Sequence, residues 1–162
     1  MQSGLAPFAA PGHWNDPDML EIGNGAMSLI EYQTHMSLWA ILAAPLIAGN
    51  DLRNMTPETK SILLNSEAIA IDQDPLGKAG ARLSLDGQTE VWGRPLARNA
   101  FAVGLFNRGD TEAEVRVAWT DLKAAGTLRV RDIWAKADRG RFKDGFSARV
   151  APHGVVLIRV SR

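Results

Sequence analysis

The 162 residues are 46% hydrophobic and 22% charged, an ordinary globular composition, and eighteen basic side chains offset eighteen acidic ones to a formal net charge of zero. That balance excludes an electrostatic footprint for nucleic acid or for an anionic membrane surface. The absence of cysteine excludes disulfides, zinc–thiolate sites and thiol catalysis, and leaves the cellular compartment open.

The first residues, Met1-Gln2-Ser3-Gly4-Leu5-Ala6-Pro7-Phe8, carry neither a basic start nor a long apolar run, and do not read as a secretory signal. Met19-Leu20-Glu21-Ile22-Gly23 reads as a short strand ending at glycine. Ser28 and Glu31 form a capping box, which opens a helix expected to run to about Ala44. Its first half is amphipathic, with Gln33, Thr34, His35 and Ser37 as the polar positions. Its second half, Leu38 to Ala44, is apolar all round and has to be buried. The apolar stretch from Leu38 to Ile47 is interrupted by Pro45, which ends the helix, and is too short to span a bilayer. Leu46-Ile47-Ala48-Gly49 reads as a second short strand, of the kind found in a sheet covered on both faces. Thr56 caps another helix with Pro57 at its first position, and Asn65 to Ile71 adds one or two further helical turns.

This strand–helix–strand–helix order is the grammar of a parallel sheet. Two short strands are too few to bury their faces and edges, so the segment reads as part of a larger α/β structure or as something that needs a partner. The character changes near Asp74-Pro75-Leu76-Gly77. Beyond it, strand signals recur about every ten residues: Ala81–Leu85, Glu90–Pro95, Phe101–Phe106, Glu114–Trp119, Thr127–Trp134, Phe146–Val150 and Val155–Val160. Turn chemistry separates them at Asp86-Gly87, Asn107 to Asp110, Ala125-Gly126 and His153-Gly154. Seven or eight antiparallel strands in this length indicate a small β-sandwich.

Three segments are distinctive in order and spacing: Pro11 to Leu20 with Ile22-Gly23-Asn24; Trp39 to Leu46 with Gly49 to Arg53; and Ala70 to Lys78. Together with Val130 to Trp134 and Ala151 to Val155 they resemble the α-galactosidase (melibiase) family, which also holds α-N-acetylgalactosaminidases. The resemblance covers essentially the whole chain. It implies an α/β plus all-β fold, in which residues 1–76 are the last two strand–helix units of a catalytic (β/α)8 TIM barrel and residues 77–162 are a C-terminal antiparallel β-sandwich. The missing sheet partners are then the N-terminal barrel units, and Met1 is an internal start or a truncated one.

Retaining glycosidases use two carboxylates about 5 Å apart, one as nucleophile and one as acid/base. The resemblance places both on earlier barrel strands, so it implies no catalytic residue in this chain and no activity from the chain alone. It implies a galactose-containing oligosaccharide as substrate and no cofactor. Asp16 and Asp18 are two carboxylates two residues apart, and they are not that pair. The resemblance sets Asp18 and Met19 at the barrel rim, at the C-terminal ends of strands, where sites of this fold sit. There Asp18 accepts hydrogen bonds and Met19 is an apolar wall, with Asp16 as a supporting acceptor.

The residues themselves leave a second reading, because Asn15-Asp16-Pro17-Asp18 is turn-prone on composition alone. Trp14 stacks on a sugar face or is a buried structural residue. Asp51 reaches the site or braces its loop. His35 reads as a helix surface or core group, His153 as a hairpin residue and His13 as loop. None has companion ligands at metal spacing. No nucleophile elbow and no phosphate-binding glycine spacing occurs. Trp92, Trp119 and Trp134 fall on strands, where core packing competes with an exposed aromatic platform for glycans. An accessory or carbohydrate-binding sandwich is therefore the alternative function, and an α-N-acetylgalactosaminidase fragment the alternative substrate class.

Overall fold

The structure is a computed structural model that describes residues 3–162, so the reading of the start at Met1 and Gln2 lies outside the described residues. A 3-10 turn at Ala6–Phe8 is followed by α1 (Leu29–Leu42), α2 (Pro57–Leu63) and α3 (Ser66–Asp72). Eight strands follow: β1 (Ala81–Asp86), β2 (Thr89–Leu96), β3 (Ala100–Asn107), β4 (Ala113–Ala118), β5 (Thr127–Asp132), β6 (Ala137–Lys143), β7 (Gly145–Val150) and β8 (Val155–Ser161). Among the described residues no helix is long and apolar enough to cross a membrane.

The capping box is present in full. Ser28 Oγ accepts from the Glu31 amide, and Glu31 Oε2 accepts from the Ser28 amide at 2.8 Å. Replacing Ser28 by Ala should therefore cost about 1 kcal/mol, read as a lower midpoint in denaturant unfolding. The helix stops at Leu42, two residues before the expected end, because Ala43 turns into the left-handed region (φ 54°). Thr56 and Asn65 cap α2 and α3 with their side-chain oxygens.

Two of the polar positions on α1 are not exposed as their sequence pattern suggests. Thr34 donates to the His153 carbonyl at 2.8 Å, and Ser37 donates to the Gln33 carbonyl while accepting from Trp134 Nε1 at 2.8 Å. Both are buried and satisfied, and both tie the helix to the sandwich.

The expected short strands around Leu20 and Ala48 are reduced to one parallel bridge, in which the Leu20 amide donates to Ile47 and the Gly49 amide to Leu20. A two-stranded parallel ladder without neighbours has too few bonds and too little buried surface to extend further. The covered surroundings expected of Leu46 to Gly49 are absent, and Ile47 is half exposed.

The sandwich pairs a six-stranded antiparallel sheet, ordered β1-β2-β3-β8-β5-β6, with a two-stranded sheet of β4 and β7. Strand alternation divides the large sheet's residues between two cores. Val91, Val103, Leu105, Val130, Ile158 and Val160 face the small sheet and pack on Val115, Val117, Trp119 and Phe146. Trp92, Ala102, Phe106 and Leu157 face the helices and pack on Met36, Ala40 and Ile41. The large sheet is thus the middle of three layers. Gly104 allows α1 to come this close, since a Cβ there would sit 2.7 Å from Ile41 Cδ1 and 2.3 Å from the Phe106 ring.

One strand is absent from the sequence reading. Strand β6 is exposed and charged (Ala137, Asp138, Arg139, Gly140, Arg141, Phe142, Lys143), and its glycine lies at φ 96°. It forms as the hairpin partner of β5 and ends the sheet with the charged composition that protects an edge. The segment read as one strand to Trp134 ends at Asp132, and Trp119 opens a short 3-10 turn rather than ending β4. Partial barrel elements followed by an antiparallel sandwich are the architecture the residues imply.

Candidate functional site

The segment from Pro11 to Leu20 is held by short-range bonds that start from its own sequence. Asn15 donates to the Leu5 carbonyl at 2.8 Å, and Asp16 Oδ1 accepts from the Asp18 amide at 2.9 Å. That Asx turn brings Asp18 into the positive-φ region at 85°, an uncommon place for a residue other than glycine and one that Asn and Asp tolerate best. Asp18 Oδ1 then accepts from the Met19 amide at 2.7 Å, and Trp39 Nε1 donates to the Asp18 carbonyl at 3.1 Å. Asp18 Oδ2 has no partner among the described residues. Met19 beside it is 44% exposed.

Asp16, Asp18 and Met19 are therefore together. Trp14 is apart from them: it is 39% exposed and lines a cleft of about 330 Å³ with Pro11, Asp72, Asp74 and Gly77, a lining that includes neither Asp18 nor Met19. Asp18 and Met19 immediately precede the bridging residue Leu20. Asn24 and Asn50 lie beyond it.

The side chains that fix this segment were not singled out as functional by the sequence. His35 Nε2 accepts from the Glu21 amide at 3.2 Å, and its ring packs on Trp39 with centroids 3.8 Å apart. An accepting Nε2 requires the neutral form there, and burial indeed lowers the His35 pKa from its ordinary value. The signal for both was their i, i+4 spacing on α1, which sets them on one face. Asn50 Oδ1 is buried without a partner among the described residues. Asp51 braces its own loop: Arg53 forks onto it at 2.9 and 3.0 Å and Asn54 adds a third bond, which together lower its pKa to about 2.

His153 sits in the β7–β8 turn and pairs with Asp110 at 2.9 Å, and His13 lies in a turn closed with Ala10. Among the described residues no three His, Asp or Glu side chains gather as a metal site would require. Trp92 and Trp119 are buried, and Trp119 Nε1 donates to the Phe142 carbonyl at 3.0 Å. Trp134 is partly buried against the helix-side core and donates to Ser37, so the sandwich tryptophans serve packing more than an exposed platform.

Residues 1–74 match the family model described as alpha galactosidase A, and residues 86–160 match the alpha galactosidase C-terminal beta sandwich domain. An α-galactosidase of Oryza sativa subsp. japonica is 47% identical over 150 residues, which cover 91% of this chain and 36% of that protein. Alpha-galactosidase A of Cellvibrio japonicus is 41% identical over 172 residues, covering 99% of this chain and 42% of that protein. The solved structure of α-galactosidase I from Mortierella vinacea superposes with a TM-score of 0.92 at 37% identity, over 96% of this chain and 41% of that one. The chain thus spans about two fifths of the length of these relatives, and it belongs to the α-galactosidase family, matching the C-terminal portion of its members.

Proposed function

We propose that the chain supplies the C-terminal portion of a retaining α-galactosidase, which removes terminal α-galactosyl residues from oligosaccharides. Residues 1–76 complete the catalytic barrel in this reading, and residues 77–162 form the sandwich behind it. The nucleophile and the acid/base come from polypeptide that precedes the matched region in the relatives. Asp18 and Met19 form part of the sugar pocket: Asp18 accepts from sugar hydroxyls, Met19 lies against an apolar face, and Asp16 holds the Asp18 backbone. Trp14, on the adjacent cleft with Pro11 and Gly77, offers its exposed ring to a sugar face beyond that pocket.

One observation carries the reading. The Asp18 carboxylate is presented to solvent on a backbone held at its amide and carbonyl, with Oδ1 held by the Met19 amide and Oδ2 without a partner among the described residues. An acceptor fixed in advance next to an exposed apolar side chain is what a hydroxyl-rich ring with one apolar face requires, and a backbone already held loses less entropy on binding. The accessory-module reading has no comparable support, because Trp92 and Trp119 are buried in the cores and Trp134 packs, partly buried, against the helix-side core.

The test is hydrolysis of an aryl α-galactoside by the 162-residue chain and by the same chain joined behind the N-terminal portion of the Cellvibrio relative. Turnover in the joined protein and none above background in the single chain is the expected result, since loss of the nucleophile costs many orders of magnitude. Turnover by the single chain would overturn the assignment of the catalytic carboxylates to preceding polypeptide.

A further inference from the structure

We propose that the outer face of the large sheet, at its β8–β5–β6 corner, is a binding site for an oxyanion, a sulfate or phosphate group either free or carried as an ester on a sugar. The starting point is strand alternation. Leu128, Val130, Phe142, Ile158 and Val160 turn inward to the sandwich core. Their neighbours Arg129, Arg131, Arg141, Lys143, Arg159 and Ser161 therefore turn outward. The helices cover the rest of this face and reach the corner at Glu67 of α3, which takes Arg131 at 2.9 and 2.7 Å.

Register concentrates the charge. Arg131 lies directly opposite Arg159 on β8, and Arg129 lies opposite Ser161 on one side and Arg141 on the other. Like charges in directly opposed positions destabilise a sheet. Five cationic side chains share this corner with two carboxylates, Asp138 on Arg129 and Glu67 on Arg131. Arg159 is exposed and makes no ion pair among the described residues. In a chain of zero formal net charge this is a local surplus, not a reflection of composition.

The geometry favours a compact oxyanion. Arg129, Arg131, Arg159 and Ser161 line a hollow of about 210 Å³. Arg129 uses Nε and Nη2 on Asp138, and Arg131 uses Nε and Nη2 on Glu67, so the carboxylates fix both guanidinium planes from behind. Among the described residues Nη1 of each has no hydrogen-bond partner. Arg159 adds a whole guanidinium fork and Ser161 a hydroxyl. Fixed, planar N–H donors around a small hollow match the several acceptor oxygens of a sulfate or phosphate, whereas a neutral ligand would leave the arginine–arginine repulsion in place.

Isothermal titration of the protein joined behind the N-terminal portion of the Cellvibrio relative with sodium sulfate and with sodium phosphate, at low ionic strength matched with chloride, tests this. The expected result is saturable binding with a dissociation constant of about 1 mM. Arg159→Gln should weaken it at least tenfold and raise the unfolding midpoint slightly by relieving the repulsion with Arg131, and Arg159→Lys should weaken it less and leave the midpoint unchanged. Titration with a sulfated hexose separates the two sources: tighter binding than inorganic sulfate assigns the ester, and equal or weaker binding assigns the free ion. Binding that does not saturate, or that survives Arg159→Gln unchanged, overturns the proposal.

Discussion

Asp18→Asn lowers kcat/KM for an aryl α-galactoside about a hundredfold in the protein joined to the N-terminal portion of the Cellvibrio relative, with the unfolding midpoint unchanged. The substitution is chosen because it separates the two things Asp18 does. Asn keeps an Oδ1 that accepts from the Met19 amide, and it tolerates a φ of 85° better than any residue but glycine, so the turn survives. What it removes is the negative charge at Oδ2. A hydrogen bond to a charged acceptor contributes roughly 1.5–3 kcal/mol, and an amide NH2 facing a sugar hydroxyl donor adds a mismatch, which together reach about two powers of ten. Asp18→Ala is the complementary variant. It loses both the turn bond and the carboxylate, so its midpoint falls along with its activity. Kinetics of Asp18→Asn within threefold of the parent, alongside a destabilised Asp18→Ala, would reduce Asp18 to a turn former and remove it from the sugar pocket.

The turn at Asp18 was legible in Asn15-Asp16-Pro17-Asp18, because Asx chemistry is local and needs no tertiary knowledge. The same holds for the box at Ser28 and Glu31 and for the caps at Thr56 and Asn65. What was not legible depends on which surface a side chain meets. Thr34 and Ser37 look like a solvent face on α1, and only the arrival of the sandwich turns them into buried donors. Strand β6 has no apolar alternation, since one of its faces is solvent and its edge is free, so its existence is a property of the hairpin with β5. Trp39 and His35 were readable as one helix face but not as the clamp on Asp18 and Glu21, which lie some twenty and fourteen residues upstream. The rim position of Asp18 came from family resemblance and not from spacing. The bridge at Leu20 puts Asp18 just ahead of the paired residues.

The burial of Arg94 was equally invisible, because Glu90–Pro95 reads as an ordinary strand, and it yields the second large effect. Arg94 is 1% exposed and donates to the Ala40 carbonyl at 2.6 Å, one of the last four carbonyls of α1 that have no partner within the helix. Its guanidinium lies near Asp72 and Asp74, whose charges support it against burial. Asp72 is itself buried, with Oδ1 lacking a partner among the described residues, and desolvation raises its pKa from 3.8 to about 6 despite the nearby cation.

The sign follows from that direction. A carboxyl with a raised pKa in the folded state binds its proton more tightly there, so its contribution to stability is fully present below about pH 4 and is lost as pH rises through about 6. The interval from 3.8 to 6 is worth up to about 3 kcal/mol. Equilibrium unfolding should therefore show a stability gain from Asp72 between pH 7.5 and 5. His35, whose pKa is lowered, works in the opposite direction below its ordinary value of 6.5, so the comparison with Asp72→Asn isolates the effect. That variant should flatten the slope.

Arg94→Met removes the cation, orphans the Ala40 carbonyl and leaves Asp72 uncompensated, at a cost of about 3–5 kcal/mol at pH 7.5. Part of this should be recovered at pH 5, where Asp72 takes up a proton and no charge is left unpaired. A stability profile with the same slope in Asp72→Asn as in the parent, or an Arg94→Met cost that does not shrink on acidification, would show that the two charges do not act on each other across the junction of helices and sheet.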